Sequence, residues 1–187
     1  MALSFAGNGT ITGLSVGGLP DGTVTNDDLA SGVGGRILQV VTSQLTTPFT
    51  ATGAGTWHDV TGLSVSITPS ATDSRIFLTG NVSGFGGSSQ YGGIKILRDS
   101  TEIGVGTGTL DSRVAGHKNM WGATTFTTTP MGISWVDSPA TTSSLVYKVQ
   151  IYSGSGSTVY VNRTEADENG VDTLRTVSDI TAMEISA

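Results

Sequence analysis

Short stretches in which apolar and polar residues alternate, each closed by a turn, dominate this sequence. In "SLVYKVQIYS" (residues 144–153), Tyr147 and Val149 fall on one face of an extended strand and Lys148 falls on the other. Comparable segments occupy residues 36–43, 57–60, 63–68, 75–82, 92–99, 124–137, 157–163 and 174–186. No 11-residue window after residue 35 has a helical period. The pattern predicts an all-β head domain over residues 36–187, an antiparallel β-sandwich of jelly-roll-like type.

Turn residues refine this prediction. Thr61 and Gly62 are expected to turn the chain between two short strands, and "GSG" after residue 153 is expected to close a hairpin with residues 157–163. Pro130 indicates an edge strand or a bulge. Residues 36–43 are apolar at alternating and intervening positions, so both faces of that strand are expected to be covered. Pro69 and Pro139 each begin a Pro/Ser/Thr-rich stretch that leads into an apolar strand, so the two are expected to be equivalent corners.

Composition excludes several classes of function. Only 13% of the residues are charged and the net charge is −6, which argues against a nucleic-acid partner, because such proteins need clustered Lys and Arg. No cysteine is present, so disulfides, thiolate metal sites and a Cys nucleophile are excluded. The N-terminus is not expected to be a signal peptide, and no apolar run is long enough to predict a membrane span.

The first 35 residues differ from the rest, since they contain no Lys or Arg. Their apolar residues stand among glycines and turn residues, which is too little to bury a core. We therefore expect residues 1–35 to be an extended arm that gains order by docking on another protein. The predicted docking residues are Phe5, Ile11, Leu14, Val16 and Leu19.

Ser15 lies in "GLSVG", which fits the Gly-x-Ser-x-Gly pattern of a hydrolase nucleophile. That motif requires a strand before it and a helix after it, but "GGLPDG" follows and disfavours a helix. A second copy, "GLSVS" at 62–66, alternates as a plain strand. Ser15 is therefore interpreted as part of a short strand, and no catalytic residue is predicted.

The segment "EADENGVD" (165–172) partly matches a calcium-binding loop. Its candidate ligands are Glu165, Asp167, Asn169 and Asp172. The bidentate Glu expected at the twelfth position is replaced by Thr176, and the alternative is an acidic hairpin loop without metal. The two histidines are far apart in sequence and predict no zinc site. The sequence thus predicts no cofactor, with calcium as a weak candidate.

Aromatic residues near glycines and polar groups are candidates for receptor binding. The segment "SGFGGSSQYGG" (83–93) contains Phe85, Gln90 and Tyr91, and "HKNMW" (117–121) contains His117 and Trp121. We expect these residues to lie on loops, where rings suit recognition of a surface glycan. The alternative is that the rings pack on the core or on a subunit interface.

Several segments resemble proteins of tailed phages. "GTITGLSVGGLPDGTVTNDDLASG" with "GGRILQVV" is similar to the N-terminal region of tail-fibre and related virion proteins, especially of phages with cyanobacterial or other aquatic hosts. "WHDVTGLSVSITPSATDSRIFL", "YVNRTEAD" and "SDITAMEIS" resemble the β-rich head domain of those proteins. The resemblance implies a homotrimer located in the virion. The repetitive shaft of long fibres is missing from this sequence.

Two functions remain open at this point. One is a short tail fibre or spike tip that docks on the tail or baseplate and contacts a host surface glycan. The other is a capsid cement protein that clamps the major capsid protein and has no ligand. A polysaccharide depolymerase is a distant third. Neither main hypothesis involves nucleic acid or a membrane.

Overall fold

The protein is described by a computed structural model that covers residues 4–5, 11–12, 36–84, 90–107, 113–122, 124–154 and 158–186. The chain divides into two units, residues 1–35 and residues 36–187. In the first unit, β1 (Ser4–Phe5) pairs antiparallel with β2 (Ile11–Thr12), so that Phe5 is opposite Ile11. The predicted docking residues Leu14, Val16 and Leu19 lie outside the described residues, and the docking role stays a prediction.

The described part of the second unit contains two antiparallel sheets and no helix. The first sheet is made of β3 (Ile37–Leu45), β4 (Phe49–Thr52), β6 (Arg75–Gly84), β10 (Thr129–Asp137), β12 (Thr158–Val161) and β13 (Ser178–Ile185). The second sheet is made of β5 (Thr56–Ile67), β7 (Gln90–Arg98), β8 (Thr101–Ile103), β9 (Lys118–Gly122) and β11 (Leu145–Ser153). No helix able to cross a membrane was found in the part of the chain that the structure describes.

Strand order identifies the sandwich as a jelly roll. In the first sheet, β3 and β4 share one edge row, β13 and β12 share the next, and β6 and β10 follow. In the second sheet, β5, β11 and β7 are followed by β8 and β9 in one row. The described strands of the second unit therefore form eight rows, and successive rows along the chain alternate between the two sheets up to β7. This is the double Greek-key order of a jelly roll, so the predicted fold class is confirmed.

The core lies between the two sheets and is apolar. Alternate residues of β11, including Tyr147, Val149 and Ile151, are fully buried, as the sequence pattern predicted. Leu63, Val65 and Ile67 of β5 are also buried, while the intervening serines are exposed. Further buried residues come from the other strands: Ile76, Leu78, Val82, Ile94, Ile96, Met131, Ile133, Val159, Val161, Ile180 and Ala182. Each sheet thus contributes one apolar face.

The turn predicted at Thr61 and Gly62 is wrong. β5 is one strand of 12 residues that passes through both positions. Opposite them, the pairing of β11 with β5 shifts register between Lys148 and Gln150. Gly62 has a φ of +88°, which suits glycine in a bulge. The local sequence correctly indicated an irregularity at Gly62. Pairing with β11 on both sides of this irregularity nevertheless keeps β5 extended.

The hairpin predicted between residues 144–153 and 157–163 is also wrong. β11 pairs with β5 and β7, whereas β12 pairs with β4 and β6 of the other sheet. The connection therefore crosses between the sheets. Residues 162–177 are likewise no hairpin loop, because β12 and β13 lie in the same row of the first sheet and both run antiparallel to β6.

Other local predictions have mixed outcomes. β10 pairs with β6 alone among the described strands, so Pro130 lies on an edge strand as predicted. The stretches after Pro69 and Pro139 both connect one sheet to the other, which confirms that they are equivalent corners. The expectation that both faces of residues 36–43 are covered is wrong for the single chain, since Ile37 and Val40 are 59% and 55% exposed. Among the described strands of the second unit, β3 is an edge strand whose outer face is not covered by the other sheet.

Buried polar side chains anchor the connecting segments at both ends of the first sheet. Glu184 is 1% exposed and accepts hydrogen bonds from Ser70 N and Oγ (both 2.6 Å), Ser74 Oγ (2.7 Å) and Gln39 Nε2 (2.5 Å). At the opposite end of β6, Asn162 is fully buried and donates to the carbonyls of Leu45 and Thr47. Asn162 belongs to an Asn-x-Thr sequence, and its burial excludes glycosylation of the folded chain.

Substitution of Glu184 by Gln is expected to lower the free energy of unfolding by about 2 kcal/mol at neutral pH, because charge-assisted hydrogen bonds are lost. Burial alone raises the pKa of Glu184, but the hydrogen bonds from Ser70, Gln39 and Ser74 outweigh burial and hold the pKa at about 2, below the ordinary 4.5. The stabilisation is therefore complete above pH 4.5 and is lost as the pH falls toward 2.

Urea titrations of wild type and Glu184→Gln between neutral pH and pH 2.5 test this expectation. The difference in unfolding free energy should shrink toward the acid end. A difference that stays constant over that range would contradict the assignment.

Candidate functional site

A row of residues across the outer face of the second sheet forms the base of the candidate site. Trp57 of β5 pairs with Tyr152 of β11, Tyr152 pairs with Gly93 of β7, and Gly93 pairs with Asn119 of β9. The rings of Trp57 and Tyr152 lie 5.0 Å apart between centroids, with planes at 46°. Lys95 packs its ammonium 4.4 Å from the centre of the Trp57 ring. The rings of Trp57 and Tyr152 therefore lie on one side of Gly93, which has no side chain.

That missing side chain opens a cleft of about 460 Å³. It is lined by Trp57, Tyr91, Gly92, Gly93, Val114, Gly116, His117, Lys118, Asn119, Met120 and Tyr152. A Cβ added at Gly93 would lie 2.6 Å from the carbonyl oxygen of Lys118, which is backbone and cannot move aside cheaply. Gly93 is thus required by the close approach of β9, and the same glycine leaves the floor of the cleft open.

Tyr91 lines the cleft, and Trp121 packs beside Tyr91. They are directly paired across β7 and β9, and their ring centroids are 4.3 Å apart. Tyr91 is 61% exposed and Trp121 is 46% exposed. The prediction that these rings lie on loops is wrong, since both lie on strands. A strand position holds the rings more rigidly than a loop would, which lowers the entropy lost on binding.

His117 lies at the inner side of the cleft and is fixed by two contacts. Its backbone N donates to Ile94 O at 2.7 Å, and its Nδ1 lies 2.9 Å from Gly104 O. Nδ1 therefore carries the proton, since a carbonyl can only accept. Nε2 is inaccessible to solvent and has no hydrogen-bond partner among the described residues. This buried acceptor is the least satisfied polar atom in the lining of the cleft.

Trp135 lies against Gly104, whose carbonyl contacts His117. Gly104 has a φ of +59°, and a Cβ there would lie 2.8 Å from Trp135 Cδ2 and 3.2 Å from His117 Nδ1. Trp135 belongs to β10 of the first sheet, so the first sheet positions a loop that supports the cleft on the second.

Charged groups beside the cleft are mostly paired with each other. Lys95 bonds to Glu102 at 2.5 Å. Hydrogen bonds from Lys148 and Gln150 hold the pKa of Asp59 below its ordinary value. Lys118 is exposed in the lining, so the cleft itself offers aromatic walls, one cation and the Asn119 amide.

The predicted receptor-binding residues separate into three groups. Tyr91 and His117 line the cleft, and Trp121 packs on Tyr91. Gln90 begins β7 opposite Gly122, but its side chain lies outside the described residues, as does all of Phe85. The sequence did not predict Trp57 and Tyr152 as site residues. Each lies in a predicted strand, and the sequence pattern did not show which face of the sheet its side chain occupies. Only the register of three strands shows that they meet.

The acidic loop at residues 165–172 presents a different arrangement. Asp167 is bound by two guanidinium groups, Arg175 at 2.7 Å and Arg163 at 3.3 Å. No group of three His, Cys, Asp or Glu side chains suited to a metal occurs in the portion of the chain with described coordinates. Calcium binding by Glu165, Asp167, Asn169 and Asp172 would have to displace both arginines from Asp167. The calcium hypothesis stays a prediction with no geometric support.

Substitution of Gly93 by Ala is expected to reduce the free energy of unfolding by about 1–3 kcal/mol, since the added methyl group overlaps backbone. Gly132 of β10 is a matched control, because a Cβ there has no neighbour within 4 Å. Chemical denaturation of Gly93→Ala and Gly132→Ala measures both effects. Equal stability of the two variants would refute the proposed close contact.

Comparisons with known proteins identify no family. No family model and no curated protein matches the chain. Among solved structures, a chain of the "Structure of infectious bursal disease virus Gx strain" matches with 13% identity and a TM-score of 0.38. The match covers 80% of this chain and 40% of that chain, so this chain spans less than half the length of the viral one. A TM-score at this level does not establish a shared topology.

Proposed function

We propose that this chain is a non-enzymatic virion protein of a tailed phage, a homotrimeric short tail fibre or spike tip whose cleft contacts a host surface glycan. The placement in the virion rests on the sequence resemblance to tail-fibre proteins. The observation that carries the receptor role is the cleft walled by Trp57, Tyr152 and Tyr91. Residues 1–35 would dock the subunit on the tail or baseplate.

The chemistry of the cleft suits a sugar ring. Aromatic faces bury the apolar C–H face of a pyranose, and nearby amides and cations bond its hydroxyls. The cleft supplies both, through Tyr91 and Trp57 on its walls and Asn119 and Lys118 on its lining. The volume of about 460 Å³ lies in the range of small-ligand sites.

Exposed apolar side chains on both edge strands favour a second candidate, a capsid cement protein. Ile37 and Val40 of β3 and Val136 of β10 are each more than 45% exposed. Such side chains suit a protein that partners cover. In that function the major capsid protein would be the partner, and the cleft would have no ligand.

Substitution of Tyr91 or Trp121 by Ala is expected to weaken binding of the purified protein to host cells about thirtyfold per site. Loss of one ring that contacts the ligand costs about 2 kcal/mol, and both rings are exposed enough to leave the fold intact. Phe126→Ala is the matched control, since Phe126 is 48% exposed and neither lines the cleft nor belongs to the Tyr91–Trp121 ring pair.

Binding to cells and to an array of bacterial surface glycans measures the effect, with circular dichroism to verify folding. If the Tyr91 and Trp121 variants bind as wild type does, the receptor function is refuted. Antibody labelling of particles then separates the two candidates, because a fibre is located on the tail and a cement protein on the head.

Deletion of residues 1–35 is expected to leave the β-domain folded and to abolish its incorporation into particles. The described core residues all lie after residue 36, so the apolar interior should survive. Circular dichroism and a particle incorporation assay test the two parts. Unfolding of the truncated chain would show that the segment is part of the core rather than a docking arm.

A further inference from the structure

The outer face of the first sheet presents two uncharged rows of side chains. Each row of side chains runs across the whole sheet, from β3 through β13 and β6 to β10. Strand register aligns Val40 of β3, Met183 of β13, Phe77 of β6 and Val136 of β10 into an apolar row. The next row toward the middle of the sheet is Thr42, Thr181, Thr79 and Ser134 in the same strand order. Neither row contains a charged side chain, although no other described strand of the second unit covers this face.

The rows are exposed at their ends. Val40 is 55% exposed and Val136 is 46% exposed, while Phe77 and Met183 between them are half-buried by their neighbours. Together with the exposed Ile37 at one edge, the apolar row forms a continuous stripe. Contiguous apolar surface of this kind marks a site of protein contact.

Each row has nearly the same composition when it is read in either direction. The apolar row has a valine at both ends and two large side chains, Met183 and Phe77, in the middle. The hydroxyl row has Thr42 and Ser134 at its ends and two threonines in the middle. A twofold axis parallel to the strands, between β13 and β6, therefore places Val40 opposite Val136 and Met183 opposite Phe77 of another copy. Such self-complementarity is what an isologous contact requires.

We propose that this face, which we call the stripe face (Val40, Met183, Phe77, Val136 and the adjoining Thr42, Thr181, Thr79, Ser134), packs against the same face of a second copy of this chain. The contact holds for either function proposed above. It is additional to the trimer that the sequence resemblance implies, because a threefold ring needs a heterologous contact.

Charges at the margins are compatible with this arrangement. Asp179 lies in the row beyond the threonines, next to Asn81 of β6. The twofold axis places Asp179 of one copy opposite Asn81 of the other, whose amide can donate to it. On the opposite margin Arg75 and Ile185 are paired within one chain. The twofold axis therefore places Arg75 of one copy opposite Ile185 of the other, and not opposite another arginine. The twofold arrangement therefore places no two like charges opposite each other. A surface that binds an unrelated acidic or basic partner would not need to satisfy this condition.

The size of the stripe face sets the expected strength. Four strands at about 4.8 Å spacing and about 20 Å of length give roughly 400 Å² per copy. A standard stable interface buries about 800 Å² per partner. The contact is therefore expected to be weak and concentration-dependent, and to be reinforced where many copies are held together in a particle.

Sedimentation equilibrium of the full chain, from about 1 to 500 μM, tests the proposal. Wild type should double its mass, from monomer to dimer or from trimer to hexamer, and Val40→Glu or Val136→Glu should each halve the high-concentration mass. Val171→Glu is the matched control, since Val171 is a 95% exposed valine outside the stripe face. A wild-type mass that is constant over this range, or a doubling that survives both variants, would overturn the proposal.

Cross-linking tests the orientation independently, because the chain has no native cysteine. A short bismaleimide should link Val40→Cys chains to Val136→Cys chains in a mixture, since these positions are opposed across the proposed axis about 10 Å apart. Each variant alone should link poorly, because its two copies of the same position are also offset laterally by three strands. Equal linking in the mixture and in the separate variants would refute the twofold arrangement.

Discussion

Hydrogen bonds to the buried carboxylate of Asp137 join the two sheets. Asp137 is 8% exposed at the end of β10, accepts two hydrogen bonds from Arg98 Nη1 (3.0 and 2.8 Å) and one from Tyr147 Oη (2.7 Å). Arg98 and Tyr147 belong to the second sheet, so one carboxylate of the first sheet is bound from across the sandwich. Burial and this carboxylate both raise the pKa of Tyr147, which keeps its hydroxyl protonated as a donor. Loss of Arg98 would leave the buried Asp137 carboxylate without its counter-charge, and loss of Tyr147 would remove one of its hydrogen bonds.

Asp137 and Glu184 both pair with Ile76, on its two sides. Two buried carboxylates therefore close the same end of the sandwich, next to the corners that begin at Pro69 and Pro139. An apolar core alone tolerates sliding of one sheet over the other, whereas directional bonds to Ser70 and Tyr147 do not. With the inside fixed in this way, the two outer faces are free to carry different surfaces: an aromatic cleft on one sheet and an uncharged stripe on the other.

Much of the fold followed from local pattern, but connectivity did not. Alternation of apolar and polar residues identified β11 and the buried face of Leu63 correctly. In a half-buried strand, the sequence of the strand alone shows which face is apolar and therefore buried. The hairpin after Ser153 was wrong, since a short glycine linker fits a sheet crossing as well as a tight turn. For the site, Tyr91, His117 and Trp121 were found from composition, but Trp57 and Tyr152 were not, because register depends on bonds to strands distant in sequence.

The sequence by itself determined that this chain is an all-β sandwich with a low-charge surface and a distinct first 35 residues, because strand alternation, turn chemistry and charge are local properties. Only the tertiary structure decided which rings meet around Gly93 and which residues align as Val40, Met183, Phe77 and Val136. Both surfaces depend on pairing between strands up to about 140 residues apart in the chain, as between Thr42 and Thr181 (139 residues). A one-residue slip in any of these pairings would turn the same side chains into the core, so register, and not composition, creates the two surfaces.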